Sequence, residues 1–138
     1  MIIAVDFDGT IVEHRYPSIG EELPFATSTL RMLAEQHHRL ILWTVRRGEL
    51  LEEAVEWCRE RGVEFYAVNK NFPEEMVEGD NCFGKINADL FIDDRNLGGI
   101  PDWGVIYKMI TEKKQWRDIY KNQNSTKEAE KKKKGWFW

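Results

Sequence analysis

Two carboxylates, Asp6 and Asp8, stand two residues apart in Asp6-Phe7-Asp8-Gly9-Thr10, directly after the apolar run Ile2-Ile3-Ala4-Val5. In an extended chain a spacing of two puts both side chains on one face. Carboxylates sharing a small space can hold a hard cation: Mg²⁺ takes few carboxylate oxygens and leaves positions for water and a phosphate. They can also divide labour, one attacking phosphorus while the other, partly protonated, serves the leaving oxygen. The same residues read equally well as a turn, with Asp8-Gly9 closing a β-hairpin between 2–7 and 10–13. An EF-hand loop does not fit, because Gly9 falls at the fourth position instead of the sixth and Pro17 stands where the bidentate Glu belongs.

Further along, Thr44 ends the apolar run Leu40-Ile41-Leu42-Trp43, and Asp93-Asp94 follow Leu90-Phe91-Ile92. Adjacent acids directly after an apolar strand are costly unless paired or metal-bound. Lys85 is an isolated basic residue ahead of that strand, and Lys70 competes with it for the same role. Arg46 and Arg47, just after Thr44, are candidates for gripping a substrate anion, although arginines are also ordinary surface residues. His14 reads as a loop residue and His37-His38 as a helix end without ligand spacing. Cys58 and Cys82 form neither a metal-ligand spacing nor a disulfide framework, which fits a reducing cytoplasm.

These residues need elements to position them, and a chain of 138 residues can bury one ordinary core. Buried strands are expected over 2–6, 40–44, 63–68 and 88–93. Between the first two, Pro24 suits the first position of a helix whose Phe25, Leu30, Leu33, Ala34 and His37 recur at helical spacing. Leu50, Leu51, Ala54, Val55 and Cys58 form the apolar stripe of a second helix, with glutamates at its start and Gly62 at its end. A short helix is expected to open at Pro73-Glu74-Glu75. Asp102 is placed to cap a last helix carrying Trp103, Ile106, Tyr107 and Ile110, with a fifth strand over Gly104-Val105-Ile106-Tyr107 as the alternative.

Alternating strands and helices imply a doubly wound α/β fold, a three-layer sandwich around a mainly parallel sheet. In such a sheet the carboxyl ends of the strands share one edge, where ligands bind. Asp6, Thr44 and Asp93 should therefore meet. The globular domain is expected to run over 1–122. Residues 123–138, with four consecutive lysines and Trp136-Phe137-Trp138 at the end, read as a flexible, solvated tail. With 20 basic against 24 acidic side chains, the charge of -4 is too mild to argue for nucleic acid as a partner. No apolar run is long enough to cross a bilayer, and 2–5 has no basic residue before it as a signal peptide would, so a soluble cytoplasmic protein is expected.

Taken together, four pieces of the sequence resemble the haloacid dehalogenase superfamily over about residues 1–120. Ile3-Ala4-Val5-Asp6-Phe7-Asp8-Gly9-Thr10 looks like its first motif, an apolar strand followed by Asp-x-Asp-Gly-Thr, and Leu40-Ile41-Leu42-Trp43-Thr44 its second. Lys85 stands for the third, and Leu90-Phe91-Ile92-Asp93-Asp94 for the fourth, a strand ending in paired acids. The first and fourth motifs are specific in combination; the other two carry little alone. The resemblance implies an Mg²⁺-dependent phosphatase in which Asp6 is the nucleophile, forming an aspartyl-phosphate, and Asp8 the general acid and base. It implies a cation held by Asp6, the backbone carbonyl of Asp8, and Asp93 or Asp94. Thr44 would donate to a phosphate oxygen and Lys85 would offset charge.

Relatives of this type often carry a cap domain over the site, inserted after the first motif or before the third. Neither interval here, 11–23 or 69–84, is long enough to build one, so a capless enzyme is expected. Capless relatives accept macromolecules or use a neighbouring subunit as a lid. The expected partners are thus a phosphorylated substrate, small, sugar-like or a polymer end, and a second copy of the chain; nucleic acid enters only as substrate. Two other readings compete: a non-catalytic phosphate-binding module with the same fold, and a phosphorylatable receiver domain. Motif order opposes the receiver, which carries its acid pair at the first strand and its phosphorylated Asp at the third.

Overall fold

The computed structural model describes residues 1–76, 85–113 and 127–135. The chain divides into two compact units, Met1–Trp103 and Gly104–Trp138. The first is an α/β unit with strands β1 (Ile2–Val5), β2 (Arg39–Leu42), β3 (Ala67–Val68) and β4 (Leu90–Ile92), and helices α1 (Ala26–Glu35) and α2 (Gly48–Glu60). Helix α3 (Trp103–Thr111) starts at its end and runs into the second unit, where 127–133 are also helical and exposed. The boundary expected at residue 122, and tail residues 123–126 and 136–138, lie outside the described residues.

The sheet has the order β3-β2-β1-β4 and every pairing is parallel, an arrangement compatible with a Rossmann-like fold. Ile3, Ala4 and Val5 of β1 and Leu40, Ile41 and Leu42 of β2 are all buried. Successive side chains on a strand face opposite ways, so both faces of these central strands are covered, as β-branched, non-alternating strands require. On one face Ala4, Ile41, Ala67 and Ile86 form a buried cluster, with Trp43 and Phe91 packed against it. The ladder continues past the strand ends: Asp6 N–H donates to Ile92 O (2.9 Å), Trp43 N–H to Val5 O (2.8 Å) and Asn69 N–H to Leu42 O (2.8 Å). These bonds hold in register the residues that follow β1, β2 and β3.

Helix α1 begins two residues later than Pro24 suggests. Phe25 occupies the N-cap in the left-handed region (φ 67°) and is 72% exposed instead of lying on the apolar face. The first turn is satisfied by Glu22, whose carboxylate accepts the Thr27 N–H at 2.8 Å and the Thr27 hydroxyl. An anion there also complements the helix dipole. Ala26, Thr29, Leu30 and Leu33 make the buried face, while Ala34 and His37 are exposed.

Helix α2 ends as its sequence predicts. Gly62 sits at φ 79°; its N–H donates to Arg59 O and that of Val63 to Cys58 O, the two bonds of a Schellman cap. That cap explains why β3 is shorter than the expected 63–68: Val63 closes the helix, and only Ala67 and Val68 pair with β2. Residues 73–74 form a turn, not the start of a helix, and Glu75 closes it by accepting from the Asn71 backbone and side chain.

Cys58 faces the interior of α2 with no exposed surface, and burial pushes its thiol up from 9.0 to about 12. A raised thiol contributes stability that is complete below pH 9 and is lost as pH rises towards 12. In the native protein Cys58 is therefore expected to resist iodoacetamide at pH 8 and to react once urea unfolds the chain, as read by peptide mapping. Rapid native labelling would contradict its placement.

Candidate active site

The strand order sets the location of the site. The chain moves from β1 to β2 to β3 in one direction, then returns to place β4 on the other side of β1, so the direction reverses between β1 and β4. In open parallel sheets the crevice beyond the strand carboxyl ends at such a switch point is where ligands sit. Asp6 follows β1 there and Asp93-Asp94 follow β4.

One carboxylate oxygen from each of Asp6, Asp93 and Asp94 lies within 4.8 Å of the others, a group able to hold a metal ion. The Thr10 hydroxyl, itself buried, ties the two strand ends together. It stands 3.1 Å from Asp6 Oδ2 and 3.3 Å from Asp94 Oδ1, and accepts the Asp94 N–H at 3.1 Å. The Trp103 indole N–H donates to Thr10 O at 2.9 Å and fixes that residue from behind. Burial, the hydrogen bond to Asp94 and the charge on Asp93 raise the Asp6 carboxyl from 3.8 to about 7. Such crowding of acids favours either a proton or a cation among them.

The loop after β1 is not a hairpin. The N–H groups of Thr10, Ile11 and Val12 converge on Phe7 O, and Gly9 N–H donates to Val12 O at 2.8 Å, so the chain folds tightly back on the end of β1. Gly9 adopts φ 84°, and a Cβ there would stand 2.8 Å from Asp94 Cγ. Only glycine meets both demands without strain. Gly9→Ala is expected to cost about 1–3 kcal/mol in urea unfolding and to weaken divalent-cation binding by displacing Asp94; unchanged stability and affinity would refute this.

Asp8, expected to reach the cation through its backbone carbonyl, keeps its side chain out of the Asp6–Asp93–Asp94 group. Its carboxylate turns to Arg46, which donates from Nε to Oδ2 and from Nη2 to Oδ1, both at 2.7 Å. Arg46 has no exposed surface and Asp8 only 8%. The remaining guanidinium hydrogens go to the carbonyls of Pro17 (3.1 Å), Ser18 (3.0 Å) and Leu50 (3.5 Å), so all five N–H donors are used. The hydrogen bond to Asp8 raises the Arg46 pKa further, against the opposing effect of burial. The sequence offers Arg46 as a grip on a substrate anion; the structure commits it to Asp8 and the 17–18 loop.

Thr44 donates its backbone N–H to Asn69 Oδ1 at 2.8 Å, and its hydroxyl oxygen accepts the Arg46 N–H at 3.1 Å, leaving the hydroxyl proton for another acceptor. Asn69 takes the left-handed region (φ 53°), which asparagine tolerates. Asp6, Asp8, Thr44 and Asp93 line a cleft of about 880 Å³ together with Arg47 and Lys70. Lys85 is not on its wall: it is exposed, with its ammonium 5.2 Å from the centre of the Phe91 ring. Lys70, its rival in sequence, is on the wall.

Thr10, Asn69 and Trp103 are the residues whose part the sequence does not announce. Thr10 stands inside the first motif, and an Asn directly after a strand is a turn signal; either could have prompted attention. Trp103 shows only as one more apolar position on a helix.

Among the described residues no helix is long and apolar enough to cross a membrane. No protein-family model and no curated protein matches the chain. A solved structure does: the conserved protein coded by a locus from Bacteroides thetaiotaomicron is 68% identical, with a TM-score of 0.80 over 87% of this chain and 97% of that one. At that identity and coverage, the chain belongs to the same family as this conserved Bacteroides thetaiotaomicron protein.

Proposed function

We propose that the protein is a phosphomonoester hydrolase of the haloacid dehalogenase type, doubly wound and capless, acting through a phosphorylated Asp6. The observation that carries this reading is the meeting of Asp6 with Asp93 and Asp94 at the switch point, with Asp6 and Asp93 on the wall of an open cleft that also receives Thr44 and Lys70. The donor set fits Mg²⁺: three hard carboxylate oxygens lie within 4.8 Å of one another. Asp6, Asp93 and Asp94 would hold it, and bound there it supplies charge neutralisation between the acids and a phosphate dianion.

The chain's own residues then divide the work. Asp6 attacks phosphorus through a carboxylate oxygen, and the phosphoryl–oxygen bond of the leaving alcohol breaks as the acyl phosphate forms. Thr44 donates its hydroxyl proton to a phosphate oxygen, and Lys70, also on the cleft wall, offsets charge. Asp8, oriented by its two hydrogen bonds from Arg46, is placed to accept the proton of the water that hydrolyses the acyl phosphate. To protonate the leaving oxygen it must first take up a proton and release part of its bond to Arg46.

That lock on Asp8 favours a second reading, a phosphate-binding module without turnover. The two part on one experiment: hydrolysis of an aryl phosphate with Mg²⁺ and with chelator. Turnover that requires the cation supports the enzyme; phosphate binding without turnover over a broad panel of phosphomonoesters supports the module.

A further inference from the structure

The cleft is far larger than a phosphoryl group, and its volume of about 880 Å³ lies within the ~300–1,000 Å³ of small-molecule sites. Beside the acids its wall carries apolar and aromatic side chains, Tyr16, Trp43, Val45, Leu51 and Val68. The two rings are braced from behind. Trp43 packs one side against the Ala4–Ile41–Ala67–Ile86 cluster while lining the cleft. Tyr16 is 46% exposed, yet the buried Arg46 guanidinium lies 5.2 Å from its ring centre and is itself fixed by Asp8 and the Pro17 and Ser18 carbonyls. Exposed aromatic surface held in place this way lowers the cost of ordering on binding, and flat π-faces stack on one another. The cations on the wall suit the phosphate end, leaving the rings to the rest of the molecule.

From this wall we propose that Tyr16 and Trp43 form a stacking subsite and that the substrate is a phosphomonoester whose alcohol part carries a flat aromatic ring system. Resting on the phosphatase reading above, this names the class of alcohol that reading leaves open. Catalysis and recognition are separable, because a phosphonate can occupy the cleft without reacting.

The test uses titration calorimetry of the full chain in Mg²⁺ with 2-naphthylmethylphosphonate and ethylphosphonate, beside Tyr16→Ala and Trp43→Leu, each checked for an unchanged melting temperature. The naphthyl compound is expected to bind at least about tenfold more tightly than the ethyl one, and each substitution to remove most of that difference while leaving ethylphosphonate binding unchanged. Equal binding of the two phosphonates, no binding of either, or a preference that survives in a variant that melts normally would overturn the subsite. If Trp43→Leu melts early, Tyr16→Ala, at a half-exposed loop position, decides alone. Rates are read separately with 2-naphthylmethyl phosphate: ring-dependent binding without hydrolysis would keep the subsite and reject the phosphatase.

Discussion

Asp6→Asn is expected to lower Mg²⁺-dependent phosphomonoester turnover by at least ~10⁴-fold while making the metal-free protein less sensitive to alkaline pH. Asparagine keeps the shape of the side chain and the contact with Thr10 but cannot form the acyl phosphate. The stability effect follows from the burial of Asp6 beside Asp94 and Asp93. The folded protein holds the Asp6 proton up to about pH 7, whereas the unfolded chain releases it near 3.8. Between those values the folded state binds more protons, so its stability falls as pH rises. The contribution is complete below pH 3.8 and lost as pH passes through about 7. Metal-free wild type should therefore melt lower at pH 8 than at pH 5 through this group, and Mg²⁺ should restore it at pH 8. Asp6→Asn should flatten the profile; a variant with the wild-type profile would show that Asp6 is not the group behind it.

Arg46→Ala is expected to destabilise the protein by about 3–5 kcal/mol in urea unfolding, the scale of breaking a buried ion pair. The loss leaves Asp8 buried without its two charge-assisted bonds and the Pro17 and Ser18 carbonyls without donors. Lysine at this position keeps the charge but not the fork and should recover only part of the loss. A double-mutant cycle isolates the pair: Asp8→Ala should cost much less in the Arg46→Ala background than in the wild type. Additive effects would contradict the pairing.

The two substitutions mark what could and could not be read from the sequence. Asp6, Thr44 and Asp93 were legible because each follows an apolar run, and parallel strands bring their carboxyl ends to one edge whatever the connections between them. The partner of Asp8 was not legible. An arginine two residues after a strand looks the same whether it turns outwards or inwards, and only the 14–18 loop, folded back to offer two carbonyls, turns Arg46 in. Lys70 and Lys85 illustrate the same limit: each neighbours a strand, and the wall of the cleft takes up Lys70. Apolar spacing also misled at Phe25, where the left-handed N-cap puts a large ring in solvent, and at Val63, which closes the helix instead of opening the strand.

The central claim, that Asp6 carries the phosphoryl group, is tested most directly by trapping it. The protein is turned over with an aryl phosphate and Mg²⁺, quenched in acid, and the peptides are mapped by mass. A phosphoryl adduct is expected on the peptide containing Asp6 in the wild type, and neither adduct nor turnover in Asp6→Asn. Full Mg²⁺-dependent turnover in Asp6→Asn, or an adduct on another residue, would contradict it.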